Sequence, residues 1–182
     1  MLSILHFLIY LCVKLKLRKT INMKQTLDEF DKKILQMISD DARIAFLEVA
    51  RACNVSGAAI HQRVQRLTQM GVIKGSQFIL NPEEMGFQTT AFVGLNLKNP
   101  EKFEETVKAI KAIPEIVECH FTTGNYDLFL KIYATDNNAL LKLIHNKLRP
   151  LGLSHTETII SLNTEFSRQL SPSCIEIETE EN

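Results

Sequence analysis

The chain has 182 residues, 45% of them hydrophobic and 23% charged, the composition of a globular protein with one large or two small domains. That excludes a largely disordered chain, a collagen-like chain and a multi-pass membrane protein. Lys+Arg and Asp+Glu each number 21, but the zero sum hides a gradient: residues 1–22 carry four basic and no acidic side chains, 23–80 are net +2, 81–165 net −3 and 166–182 net −3. Such polarity points to two modules with different partners, the first suited to an anion.

The run from Leu2 to Val13 is almost all apolar and is followed by Lys14, Lys16, Arg18 and Lys19. A bilayer span needs about 20 apolar residues, and a secretory signal puts its positive charge before the apolar run. Residues 1–22 are therefore read as a non-structural extension, with a short signal anchor as the alternative. Cys12, Cys53, Cys119 and Cys174 lie far apart, with no CxxC and no Cys/His pair at zinc spacing. They read as reduced thiols of a cytosolic protein, with no metal and no cofactor expected. Cys53 and Cys119 sit in apolar patterns and are expected in the core.

Residues 23–75 read as a helix-turn-helix unit. Thr26 and Glu29 form a capping-box pattern, and Leu27, Phe30, Ile34 and Ile38 follow at helical spacing to about Ser39. A short second helix runs from Phe46 to Ala52. Cys53-Asn54-Val55 makes a tight turn, with Asn54 tolerating positive φ. Ser56 is the expected N-cap of a third helix with Ile60, Val64 and Leu67 inward and Gly71 as its C-terminal stop. Ser56, Gly57, Ala58, His61, Gln62, Gln65, Arg66 and Gln69 are left outside, and no acid occurs from Ser56 to Met70. A solvated helix face would mix Glu with Lys. An acid-free face of small, amide and basic side chains suits base edges and phosphates. Ser56, Ala58, His61, Gln62 and Arg66 are expected in a major groove and Lys74 at a phosphate. Arg63 lies beside the apolar stripe and either touches DNA or pairs with an acid of the first helix such as Asp31.

Residues 76–88 read as a linker opening with a short strand at 76–80, broken by Asn81-Pro82. Residues 89–165 then run β-α-β-β-α-β: a strand at Thr89–Leu97, a helix capped by Asn99 and ended by Pro114, a hairpin of Ile116–Thr122 with Tyr126–Tyr133, a helix from Asp136 to Pro150, and a strand at His155–Leu162. This is the order of an α+β, ferredoxin-like split unit with both helices on one sheet face. Leu128, Leu130 and Ile132 point to one face, and Phe129, Tyr133 and Phe92 to the other. Aromatics on the second face imply a cover, and the simplest is the same sheet of a second chain. Residues 166–182 form an acidic tail expected to fray.

Three segments carry a resemblance. They are Leu27–Leu35, Val55–Leu67 with Gly71-Val72-Ile73, and Thr123-Gly124-Asn125-Tyr126-Asp127 in the central hairpin. In this order and spacing the chain, over about residues 26–165, resembles the Lrp/AsnC (feast/famine) family of transcriptional regulators. Gly57 stands where proline or a small polar residue is common, and His61-Gln62 where Ser and Arg are frequent, which leaves the operator sequence open. The resemblance implies a winged-type helix-turn-helix before the ferredoxin-like domain. It also implies a sheet-to-sheet dimer assembling further, as to an octamer, and double-stranded DNA and a small effector such as an amino acid as partners. The resemblance places the effector near Gly124, Asn125, Tyr126 and Asp127. A carboxylate can bind an effector ammonium and turn N–H groups its carboxylate; equally, Gly124-Asn125 can simply turn the hairpin while Asp127 bonds backbone. A cytoplasmic, nucleoid-associated regulator without catalytic activity is expected. The alternatives are a ligand-binding assembly protein that does not bind DNA, or an enzyme resembling siroheme decarboxylases, for which the net-acidic second module offers only His120, His145 and His155.

Overall fold

A computed structural model describes residues 27–176. The apolar run and its basic flank, Thr26 of the expected capping box, and the last acids of the tail lie outside the described residues. No described helix is long and apolar enough to cross a membrane. The chain divides into two units: the first runs up to Gln77 and takes up the chain again from Arg168, and the second is Phe78–Ser167.

The first unit is three helices, α1 (Glu29–Asp40), α2 (Phe46–Cys53) and α3 (Gly57–Gln69). Asp28, not Thr26, caps α1: its carboxylate accepts from Asp31 N–H at 2.7 Å, and Asp31 accepts in return from Asp28 N–H at 3.2 Å. The box is thus built two residues later, on aspartates. Asn54 takes the left-handed turn at φ 55°. Ser56 Oγ accepts from Ala59 N–H, starting α3. Gly71 at φ +75° lets Val72 N–H return to Leu67 C=O and ends it. Ile34, Val49, Ala50 and Ile60 form the buried core, with Phe30, Met37 and Val64 against it.

Two expectations change here. No strand forms over 76–88. Phe78, Ile79 and Leu80 are 63–89% exposed, and the four-stranded sheet does not include this segment, so its apolar residues do not build the ladder a strand needs. The tail does not fray over its first part. A 3₁₀ turn at Pro172–Cys174 lies against α1, with Lys32 Nζ donating to Ile175 C=O at 3.0 Å and Ser171 Oγ to Gln36 Oε1 at 3.4 Å.

The second unit is an antiparallel sheet in the order β2-β3-β1-β4, made of β1 (Thr89–Leu97), β2 (Ile116–Phe121), β3 (Leu128–Ala134) and β4 (Leu153–Ser161). Helices α4 (Phe103–Lys111) and α5 (Asn137–Leu143) are the crossovers. Strict alternation buries Ala91, Val93 and Leu95 of β1 and Leu128, Leu130 and Ile132 of β3 on one face. Ile110 and Ile113 from the α4 crossover and Leu140, Leu143 and Leu148 from the α5 crossover cover them. Cys53 is half-buried against the first core, as expected, whereas Cys119 is exposed. Cys119 does face the helix side, opposite Leu130, but β2 is an edge strand and leaves it uncovered.

Candidate nucleic-acid interface and effector loop

α3 is the expected reader, and its setting follows from its neighbours. Asp31 is completely buried yet ionisable, so it needs cationic partners. It has two, both from α3: Arg63 Nη1 at 3.0 Å from Oδ1, and Arg66 Nη2 on Oδ2. Arg63 also pairs with Asp28 and stacks on the Phe30 ring at 5.0 Å. Partial burial works against the Asp28 charge, but the Arg63 guanidinium and the Asp31 N–H outweigh it and hold this carboxyl below the ordinary aspartate range. The same bonds raise the pKa of Arg63. Of the two roles expected for Arg63, the pairing with an acid of the first helix is the one seen in these contacts. Arg66, expected in the groove, shares the same acid and is only 36% exposed at its side chain. The position of Arg63 beside the apolar stripe pointed to Asp31, whereas nothing in the pattern showed that Arg66, on the outward side of that stripe, shares the same carboxylate.

The other expected DNA contacts are at the surface. Ser56, Ala58, His61, Gln62 and Lys74 are exposed. Ser56 accepts at the helix cap and keeps its hydroxyl proton. His61 stands edge-on to Phe46, ring centroids 4.7 Å apart. Gln65 and Gln69 are exposed on the same helix.

In the second unit the loop between β2 and β3 gathers the other expected residues. Gly124 has φ +113°, open to glycine and strained for other side chains. Asn125 C=O accepts from Asn96 Nδ2 at 2.8 Å. Tyr126 lays its ring on Gly94, where a Cβ would stand 2.6 Å from the ring, and donates its hydroxyl to Glu157. That bond raises the phenol pKa. Asp127 Oδ2 accepts from Leu97 N–H at 2.8 Å. Leu95 C=O accepts from Asp127 N–H at 2.9 Å on the same edge of β1, so the carboxylate continues the β1–β3 pairing one step beyond the start of β3. One Asp127 oxygen is thus committed to scaffold, and Oδ1 makes no described hydrogen bond.

A helix-turn-helix with an acid-free outward face, joined to a ferredoxin-like unit with a polar loop, defines a DNA-binding protein with a sensor module. Residues 27–74 match the winged helix-turn-helix DNA-binding family, and 90–170 match the Lrp/AsnC ligand binding domain. Regulatory protein AsnC of Haemophilus influenzae is 33% identical over 80% of this chain and 98% of its own. The structure of Escherichia coli AsnC superposes with a TM-score of 0.76 at 30% identity, covering 80% of this chain and 99% of that one. A Neisseria meningitidis transcriptional regulator solved with L-Met shares the fold at TM-score 0.73 and 24% identity, covering 79% and 94%. The chain belongs to the Lrp/AsnC family of transcriptional regulators.

Proposed function

We propose that this regulator binds its operator through the outward face of α3 and changes that binding when a small effector, an amino acid, occupies the Gly124–Asp127 loop. The single observation that carries the reading is the α3 surface. It has no acid, and its exposed side chains are Ala58, His61, Thr68 and three glutamines on a helix braced from behind. Ser56, Ala58, His61 and Gln62 are assigned to the groove and Lys74 to phosphate, with Arg63 and Arg66 bracing the helix.

The effector assignment is supported by the family's ligand-binding module and by the L-Met held by the Neisseria protein. Loop N–H groups would receive an effector carboxylate and the open Asp127 oxygen its ammonium. The uncovered sheet face supports a two-fold dimer, which presents two reading helices to two half-sites, with higher assembly built on it. Such a protein works in the cytoplasm, on nucleoid DNA, and acts by binding rather than catalysis. Domain limits at 23–75 for the reader and 89–165 for the sensor fit this division of labour.

The test is a titration of the full chain against its own upstream DNA, with and without a panel of amino acids. One amino acid should shift the affinity several-fold. Asp127→Asn keeps an acceptor for Leu97 N–H but removes the charge; it should abolish that shift while DNA binding persists. A retained shift removes Asp127 from the effector site.

A further inference from the structure

The arginines of α3 are both turned to α1, so the groove-facing chemistry of this helix is of another kind. At 100° per residue, Ala58, Gln62, Gln65 and Gln69 fall within an arc of about 60° on the outward side, while Arg63 and Arg66 lie on the flank toward α1. All four outward residues are exposed. Every described polar partner of the two arginines is an α1-side carboxylate. The three glutamines make no described hydrogen bond, so their carboxamides are free to bond elsewhere. From Gln62 to Gln69 the helix rises about 10 Å, the length of about three base-pair steps.

We infer that this glutamine stripe is the specificity-determining surface of the reader and that it selects A·T base pairs, with Arg63 and Arg66 acting as positioning residues for α3. The inference rests on the DNA-reading function proposed above and deepens it. The chemistry is selective. Adenine presents an N7 acceptor beside an N6 donor in the major groove, and one carboxamide pairs with both. Guanine presents two adjacent acceptors, N7 and O6, which suit a guanidinium or ammonium instead. Ala58 on the same arc adds a methyl-sized surface suited to the thymine methyl. Each guanidinium gives one Nη to Asp31, so a bidentate guanine contact by either arginine would compete with that buried carboxylate.

The test is selection of binding sites from a randomised duplex pool with the full chain, repeated with Gln65→Ala, Gln65→Arg and Arg66→Ala. Gln65 is exposed, so a thermal melt should find both of its variants folded like the parent. The parent should enrich A·T pairs in each half-site. Gln65→Ala should relax one such position, reducing discrimination there about 5- to 150-fold, with the salt dependence unchanged. Gln65→Arg should turn that position to G·C. A parental preference for G·C that disappears in a folded Arg66→Ala would overturn the inference, as would glutamine variants that leave every preference intact. Failure to bind any duplex at low salt would instead bring down the DNA-reading function itself.

Discussion

Asp31 shows how much one buried charge decides. It lies at zero exposure between two guanidiniums, and it joins the first helix of the unit to the third. Removing one partner of a wholly buried ion pair costs about 3–5 kcal/mol; here both guanidiniums keep about a third of their side-chain surface in water, where screening reduces the loss. Asp31→Asn should therefore destabilise the chain by about 2 kcal/mol in denaturant melts, and an unchanged midpoint would contradict the bracing role. The neighbouring Asp28 adds a pH dependence of definite sign. Its pKa is depressed in the folded state, so its contribution is complete above the unfolded value near 4. It is lost as pH falls through the lower folded value. Unfolding midpoints should decline below about pH 4, and Asp28→Asn should flatten the part of that decline due to this group.

At the scale of elements, the tail is the segment that most changes the picture. Its turn on α1 is fastened by Lys32 to Ile175 and Ser171 to Gln36, across 143 and 135 residues of sequence. Truncation after Ser167 should lower the melting temperature of the first unit by a few degrees, since about 1 kcal/mol moves a small domain by about 4–8 °C. Identical melting curves for the two chains would show the contact to be energetically idle.

The same contrast explains what the sequence made legible. Strand alternation in β1 and β3, the Asn54 turn, the Ser56, Asn99 and Asp136 caps and the Gly71 stop are all encoded within a few residues, where period and backbone chemistry are decisive. The candidate reader was therefore visible as a helix with an acid-free face. The tail contact and the partner of Arg66 were not: Asp31 was offered to Arg63 from its place beside the apolar stripe, and no pattern showed that the same carboxylate also holds Arg66 or that the tail returns to α1. The segment at 76–80 has strand-like residues but forms no strand among the described residues, and its apolar pattern could not reveal that. The loop around Asp127 was found by resemblance, while its bond to Leu97 depends on the pairing of β1 with β3, across 30 residues of sequence.

At the scale of the molecule, a basic reader precedes an acidic sensor, and the two faces of the sheet differ in what covers them. One face carries the helices. On the other, Phe92 and Phe129 stack at 5.9 Å, Tyr126 lies beside Phe129 at 6.1 Å, and Ile159 is 47% exposed. A second copy of the sheet would bury this surface and supply the second reading helix, offsetting the modest charge of a single reader by bivalency. The effector response proposed above then needs only a ligand whose affinity differs between two arrangements of such an assembly.

The most direct measurement is DNA affinity of the full chain as salt is raised from about 50 to 400 mM, read by fluorescence anisotropy on duplexes of selected and scrambled sequence. With Arg63 and Arg66 held by α1, few cations per chain are left for phosphates. The logarithm of affinity should then fall linearly with that of salt, with a shallow slope of about −2 to −4 per chain, and the selected duplex should keep its advantage throughout. Absence of binding at the lowest salt, or equal affinity for both duplexes at every salt, would contradict a sequence-reading α3.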